Sequence, residues 1–454
     1  MHRFVRTLMA AALSAGAAGL AAAQSPAGLA APGKAITLDD AINLALQQNT
    51  AVRQAQNSSD LSSAVVHEQK EQLLPSLSLS VTGANNLGRN FSPSDGAIVN
   101  QQTQSLNTGV SSSITLFDGG RNVANVRSAE ASQNAATQDL TRAKQTAVFT
   151  VMSDFVNLTN AEQQLGVQQE NLKSLQVQQD QIQKLVDAGT RPVADLYQSE
   201  ASVASAKLAV TQATNAIELA KVDLIQTLQL DPLASYDFVP STPTAAASTS
   251  TNLDALIAQA WQNRADLDAQ NARVAAAQQD VKAAASSKLP TVSVGASYST
   301  GYSSAADAAF TNQLNQRQGG GLSIGVSFPI FDKGAASLAE QKAEIGAENA
   351  QLDLAQQKQQ IALDVRRAYL NEQSAEQQLV AAQAQLTAAQ NAVDATQKRY
   401  EVGAATLVEV TQSRAQQVQA ATAVVTANNN LALQQAVMSY DTGNLKVPAT
   451  AASN

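Results

Sequence analysis

The spacing of apolar positions along the chain changes several times, and each change marks a boundary between elements. From Ile36 onward, Leu38, Ile42, Ala45, Leu46, Val52 and Ala55 keep helical spacing, which continues to Leu73. Thr37 stands where it can cap this helix, and Asp39 and Asp40 suit its first turn. Pro75 disfavours helical geometry at Leu74, and the period then falls to two. Leu77, Leu79 and Val81 alternate with Ser76, Ser78, Ser80 and Thr82, and Val110, Ile114 and Leu116 alternate with Ser111, Ser113 and Thr115. These segments predict strands at about 75–83 and 108–117. The polar stretch between them, Gly83 to Asn107, reads as a loop too long for a tight hairpin turn. Helical spacing resumes after Asp118 and meets no proline before Asp187, which predicts one helix of about seventy residues and roughly 105 Å. Gly189 lies just past its end, as a C-cap would, and a shorter helix, Val193 to Leu230, follows.

The same sequence of patterns then recurs. Leu116-Phe117-Asp118-Gly119-Gly120-Arg121 is echoed by Ile330-Phe331-Asp332-Lys333-Gly334, Leu74-Pro75 by Leu289-Pro290, and Ala161-Glu162-Gln163-Gln164-Leu165 by Ala375-Glu376-Gln377-Gln378-Leu379. The second copy predicts strands at about 290–298 and 321–331, with a polar loop from Ser299 to Gly320 between them. A long helix from Gly334 to Tyr400 follows, closed by Gly403, and then a helix from about Thr406 to Tyr440. The chain is therefore two copies of one unit: a first repeat at 24–230, a Pro/Ser/Thr/Ala-rich linker at 231–251, a second repeat at 252–442 and a loose tail at 443–454. In each unit two shorter helices, each of about forty residues or fewer, stacked end to end match one long helix. Leu338, Ile345 and Leu352 fall seven apart, as do Leu379, Leu386, Val393 and Tyr400, so the long helices are expected to supercoil against neighbours.

Each predicted strand has about the ten residues that a tilted transmembrane strand needs, with one apolar face and one face of Ser, Thr and Gly. A soluble sandwich would alternate in the same way. Long connections on one side and direct strand-to-helix joints on the other favour a membrane barrel with a watery lumen. Four strands cannot enclose a lumen, so closure requires other copies of the chain; two would give eight strands, whose interior side chains fill, and three would give twelve, enough for a channel.

Composition narrows the functional classes. Arg3 and Arg6, an apolar Met9 to Leu20 and Ala21-Ala22-Ala23 read as an export signal over 1–23. Removing the charges of Arg3 and Arg6 takes the formal charge from −8 to −10, which argues against a nucleic-acid partner. The chain has no Cys, and only His67 remains after His2 leaves with the signal. Thiol chemistry, a lipidated N-terminus, a two-His metal site and a His-based triad are thereby excluded within one chain, and no cofactor is expected. Aromatics make up only 4% of the chain, which suits long, closely approaching helices of Ala and Gln. Without a phosphate-binding loop or a catalytic cluster, the chain is not read as an enzyme.

The duplicated Leu-Pro before each hairpin, the two strand-to-helix joints and Arg399-Tyr400-Glu401-Val402-Gly403 together resemble the TolC family of outer membrane efflux proteins over essentially the whole mature chain. The resemblance implies a mainly α fold with a small β part: a homotrimer whose helical hairpins form a periplasmic α-barrel and whose strands share a 12-stranded transmembrane β-barrel. It implies localisation in the cell outer membrane, and a passive exit duct for a tripartite efflux pump or a type I secretion system. A periplasmic adaptor and an inner-membrane transporter of the RND, ABC or MFS class would be its partners, with outer membrane lipid around the barrel. The alternative is a periplasmic coiled-coil structural or adaptor protein without a pore. In the family, contacts between the two helical hairpins close the periplasmic tip. Tyr400 and Asp195 match the Tyr and Asp of those contacts, whereas Ala405 stands where the family's Arg would be. Arg191, two residues after the first glycine, is the candidate cation from the other hairpin. Glu409 matches an acid of the pore entrance, with Gln412 where a second acid can occur. Gly189, Thr190, Gly403 and Ala404 are the expected adaptor-contacting tips.

Overall fold

The structure, a computed structural model, describes residues 35–92, 96–241 and 252–448. The export signal and most of the leader lie outside them. Strand β1 (Ala35–Ile36) leads to α1 (Leu38–Gln48), α2 (Thr50–Glu71), the hairpin β2 (Ser76–Ser92) and β3 (Ala97–Phe117), and then α3 (Arg121–Asp187) and α4 (Val193–Leu228). After β4 (Asp237–Phe238) the second repeat follows: α5 (Leu253–Asn263), α6 (Ala265–Ala285), β5 (Thr291–Ser303), α7 (Phe310–Gln316), β6 (Gly319–Ser327), α8 (Ala335–Glu401) and α9 (Leu407–Asp441). No helix among the described residues is long and apolar enough to cross a membrane.

The two 67-residue helices α3 and α8 are the frame. Each starts at the repeated aspartate. Asp118 accepts from the amides of Gly120 at 3.1 Å and Asn122 at 2.9 Å, and Asp332 from those of Gly334 at 2.9 Å and Ala336 at 2.7 Å. The carboxylates thus satisfy amides that a helix start leaves unpaired. Gly119 (φ 73°) is held by more than backbone geometry: a Cβ there would stand 2.9 Å from Leu289 Cβ and from Ser286 O, where the second repeat crosses the joint. In the other copy Lys333 takes the corresponding left-handed conformation at φ 60°.

The helices lie side by side in four columns: α2 above α4, then α3, then α6 above α9, then α8. Both outer columns are open. Leu338 (52%), Ile345 (51%) and Leu352 (62%), the heptad positions of α8, are exposed, as are Leu208, Leu219 and Val222 on α4. The sheet is likewise four strands in the order β2-β3-β5-β6, antiparallel throughout, with β2 and β6 as open edges. The register puts Leu77, Leu79, Val110, Ile324 and Val326 on one face, all largely exposed, while Ser76, Ser78, Ser111 and Ser113 form hydroxyl ladders on the other.

Several sequence-based expectations need correction. Most of the stretch Gly83 to Asn107 is strand rather than loop. β2 and β3 pair without a break from Ser76↔Ser113 to Ser92↔Ala97, because cross-strand hydrogen bonding carries polar residues as readily as apolar ones. Ser299 to Gly320 is not a plain loop either: β5 runs on to Ser303 and α7 follows. β6 ends at Ser327, and Ile330-Phe331 lies outside the strand, beyond Pro329, which has no amide to donate.

The opening helix of each repeat is two helices. In the first, Asn49 (ψ 126°) interrupts the path and caps α2 by accepting from Ala51 N at 2.9 Å. In the second, Arg264 (ψ 117°) stands at the break. The linker's start belongs to the core: β4 pairs in parallel with β1, burying Tyr236 and Phe238 against Ile36, Phe155 and Leu224. Leu445 and Val447, expected in a loose tail, pack on the same cluster.

Arg264 organises a buried ionic cluster that the sequence pattern did not reveal. Its guanidinium forks onto Asp266 at 3.0 and 2.6 Å and lies 3.9 Å from Asp364 and 4.0 Å from Asp441. Arg142 sits 3.7 Å over the Tyr440 ring, donates to the Tyr440 carbonyl at 3.1 Å and approaches Asp266 at 3.9 Å. Burial pushes the Asp441 carboxyl up to about 6 against the pull of Arg264, and the nearby Asp364 adds to the rise. Burial pushes the Asp266 carboxyl up as well, but the hydrogen bond and charge of Arg264, with the charge of Arg142, outweigh it and hold Asp266 below the usual carboxylate range.

Candidate functional site

The ends of the four lower helices meet at one point, and the chain builds that point twice with the same turn. After α3, Gly189 (φ 73°) lets Thr190 N reach back to Leu185 O at 2.9 Å; after α8, Gly403 (φ 75°) lets Ala404 N reach Arg399 O at 2.7 Å. Each is a helix terminus closed by a left-handed glycine, a conformation costly for side chains with a Cβ. Gly189, Thr190, Gly403 and Ala404 are all exposed at the tip.

Directly above these turns the two hairpins touch. Tyr400, 7% exposed, sits among Ile182, Leu196, Ala405, Leu407 and Val410, residues drawn from α3, α4, α9 and the turn before α9. Its hydroxyl donates to Asp195 Oδ2 at 3.2 Å. Arg191 reaches over from the first hairpin: its guanidinium carbon lies 4.2 Å from the Tyr400 ring centroid, and Nη2 donates to the Tyr400 carbonyl at 2.6 Å. Burial and the Asp195 carboxylate push the Tyr400 phenol above its ordinary value, against the opposing pull of Arg191. The phenol therefore keeps its proton and remains a donor. The structure thus brings Arg191, Asp195 and Tyr400 into one bridge between hairpins, with Ala405 buried beneath it.

Glu409 stands apart from the bridge. It completes a capping box with Thr406, accepting from Thr406 N at 3.1 Å, and lies 3.7 Å from Arg399 Nη1. The backbone hydrogen bond from Thr406 is the main cause holding its carboxyl below the ordinary range. Gln412 is exposed one turn on.

Sequence reasoning missed Arg414. It is half-buried between the hairpins, donates to Ser174 Oγ and to Gln397 Oε1 at 3.1 Å, and leaves Nε buried without a hydrogen bond. Burial lowers its pKa from the ordinary value. It borders an open groove floored by α3 and walled by α4 and α9, lined by small side chains such as Ser202, Ala206 and Ala415. The only signal in the sequence was a single cation in an otherwise uncharged Ala/Gln/Val stretch of α9.

The chain is similar to known proteins over most of its length. The family model for outer membrane efflux proteins matches residues 41–228 and 256–439, one match per repeat. The outer membrane efflux protein BepC of Brucella suis biovar 1 (strain 1330) is 23% identical over 373 residues, covering 80% of this chain and 77% of BepC. Among solved structures, CusC superposes with a TM-score of 0.77 at 19% identity, covering 89% of this chain and 92% of CusC. The outer membrane protein VceC of Vibrio cholerae superposes with a TM-score of 0.76 at 16% identity, covering 89% of this chain and 96% of VceC. The poreless coiled-coil alternative is set aside by these matches. With both repeats matched, the chain belongs to the outer membrane efflux protein family: an outer membrane channel with its helices in the periplasm, and not an enzyme.

Proposed function

We propose that the protein is the passive exit duct of a tripartite efflux pump or type I secretion system, working as a homotrimer. The observation that carries this reading is the pair of open edges. Four helix columns and four strands each end in unpaired faces, and an open sheet edge in lipid leaves backbone groups without partners. Three copies close both layers, giving a barrel of twelve strands and a tube of twelve helix columns. The exposed heptad positions Leu338, Ile345 and Leu352 then pack against the α2 and α4 column of the next copy.

In this arrangement the Arg191–Asp195–Tyr400 bridge is the closed latch of the periplasmic tip, and Glu409 contributes an acidic ring that favours cations. The exposed turns at Gly189-Thr190 and Gly403-Ala404, with the adjoining groove, are where a periplasmic adaptor docks. An inner-membrane RND, ABC or MFS transporter supplies the energy and the choice of substrate. Residues 1–23 serve as the export signal.

The test is native mass spectrometry of the purified mature protein together with single-channel recording in planar bilayers. A trimer with a low, cation-selective conductance is expected. A monomer, or a trimer without conductance, would overturn the reading.

A further inference from the structure

The β5–β6 connection has a structure that the channel function does not require. β6 begins at Gly319, opposite Ser299, so from Thr300 to Ser303 β5 keeps β3 on one side, and its other edge has no strand beside it among the described residues. The α7 segment covers that edge. Thr300 Oγ1 donates to the Leu314 carbonyl at 2.6 Å, and Ser303 N donates to Gln313 Oε1 at 2.9 Å. Gln313, only 2% exposed, turns its amide to the carbonyls of Ala308 at 2.7 Å and Ala306 at 3.3 Å. One buried side chain thus satisfies backbone groups on both sides of the connection, a requirement that is strict where water is scarce.

Position and orientation agree with this. Thr300 and Tyr302 continue the even-numbered face of β5 that carries Val292, Val294 and Tyr298, the face turned to lipid. Val292 to Tyr302 spans about 33 Å along the strand, or about 25 Å along the membrane normal at a tilt of about 40°, the height of a barrel's apolar band. Tyr302 therefore stands at the outer boundary of the hydrocarbon. Phe310, the first residue of α7, packs against it with ring centroids 5.1 Å apart and planes tilted by 55°, and remains 46% exposed. From Ser299 to Gln318 the only charged residues are Asp307 and Arg317, so the segment carries no net charge to hold it in water.

We infer that α7 is a membrane-interface anchor, laying Phe310 into the headgroup region of the outer leaflet beside Tyr302. The occupant of this surface is lipid, because the surface continues the lipid-facing band without interruption and its aromatic chemistry is that of an interfacial girdle. This rests on the outer membrane placement of the barrel, and the test separates the two.

Trp261, the chain's single Trp, is replaced by Phe, and a lone indole is placed at position 310 (Phe310→Trp) or, for comparison, within the band (Tyr298→Trp). Both proteins are reconstituted in phosphatidylcholine vesicles carrying bromine at stepped acyl depths. The indole at 310 is expected to lose most emission to the shallowest bromines and progressively less to deeper ones. Quenching at 298 with none at 310 would overturn the inference while leaving the barrel in the membrane. In that event, strong acrylamide quenching at 310 would put α7 in water, and protection from both quenchers would put it against a neighbouring protomer.

Discussion

Replacing Arg191 by Ala tests the latch most directly, because the structure gives it two separable grips on the second hairpin. The charge-assisted hydrogen bond to the Tyr400 carbonyl contributes about 1.5–3 kcal/mol when well shielded, and the stacking over the ring about 0.5–1 kcal/mol. Arg191 is only half-buried, so about 2 kcal/mol for the two together is the reasonable figure. In a trimer that opens as a unit the loss is threefold, about 6 kcal/mol, and about 5.5 kcal/mol carries a two-state equilibrium from 1:99 to 99:1. Arg191→Ala is therefore expected to convert a mostly closed tip to a mostly open one. Tyr400→Phe removes only the hydroxyl's bond to Asp195, about 1 kcal/mol per protomer, and shifts the same equilibrium by roughly a hundredfold. Open probability in single-channel records measures both, and sensitivity of cells to a bulky antibiotic that the outer membrane excludes gives an independent reading. If both variants stay trimeric and helical yet conduct as the wild type does, the bridge is not the latch. If Tyr400→Phe opens the channel more than Arg191→Ala, the ranking of the contacts is wrong.

Two further predictions concern stability. Asp441 titrates near 6 in the fold and near 3.9 in an unfolded chain, so the folded state holds its proton more tightly; the stability this gives is complete below the lower value and lost as pH rises through the upper one. Between pH 5 and 7.5 that amounts to a loss of about 1.4 kcal/mol, which Asp441→Asn should abolish in urea melts followed by helical circular dichroism. Asp266, shifted the other way, acts only at lower pH and does not cancel the effect in this window. Gly119→Ala should cost about 1–3 kcal/mol, since it combines a left-handed conformation with a Cβ pressed on Leu289, whereas Lys333→Gly, at the corresponding and open joint, should cost little. Equal effects of the two substitutions in the same melts would contradict this account of the first joint.

Local rules made much of this protein legible from its sequence. A seventy-residue run without proline, ended by glycine, has few conformations open to it but helix. The repeated Phe-Asp-Gly/Lys-Gly joint announces its own cap, and a period of two in Ser-rich segments fixes strands and their faces. The same repeat placed Arg191, Asp195 and Tyr400 near equivalent turns, because two copies of one unit put their glycines at the same level. What lay beyond the sequence depended on partners distant along the chain. The polar half of the first hairpin became strand because each residue found a cross-strand mate, not because its own side chains asked for it. The breaks at Asn49 and Arg264, the burial of Tyr236 and Phe238, and the charges gathered around Arg264 were set by elements packing from elsewhere. Pattern fixes what an isolated segment prefers. Only the tertiary structure decides which polar groups are taken from water, and in whose company, because desolvation and pairing depend on neighbours that no local spacing specifies.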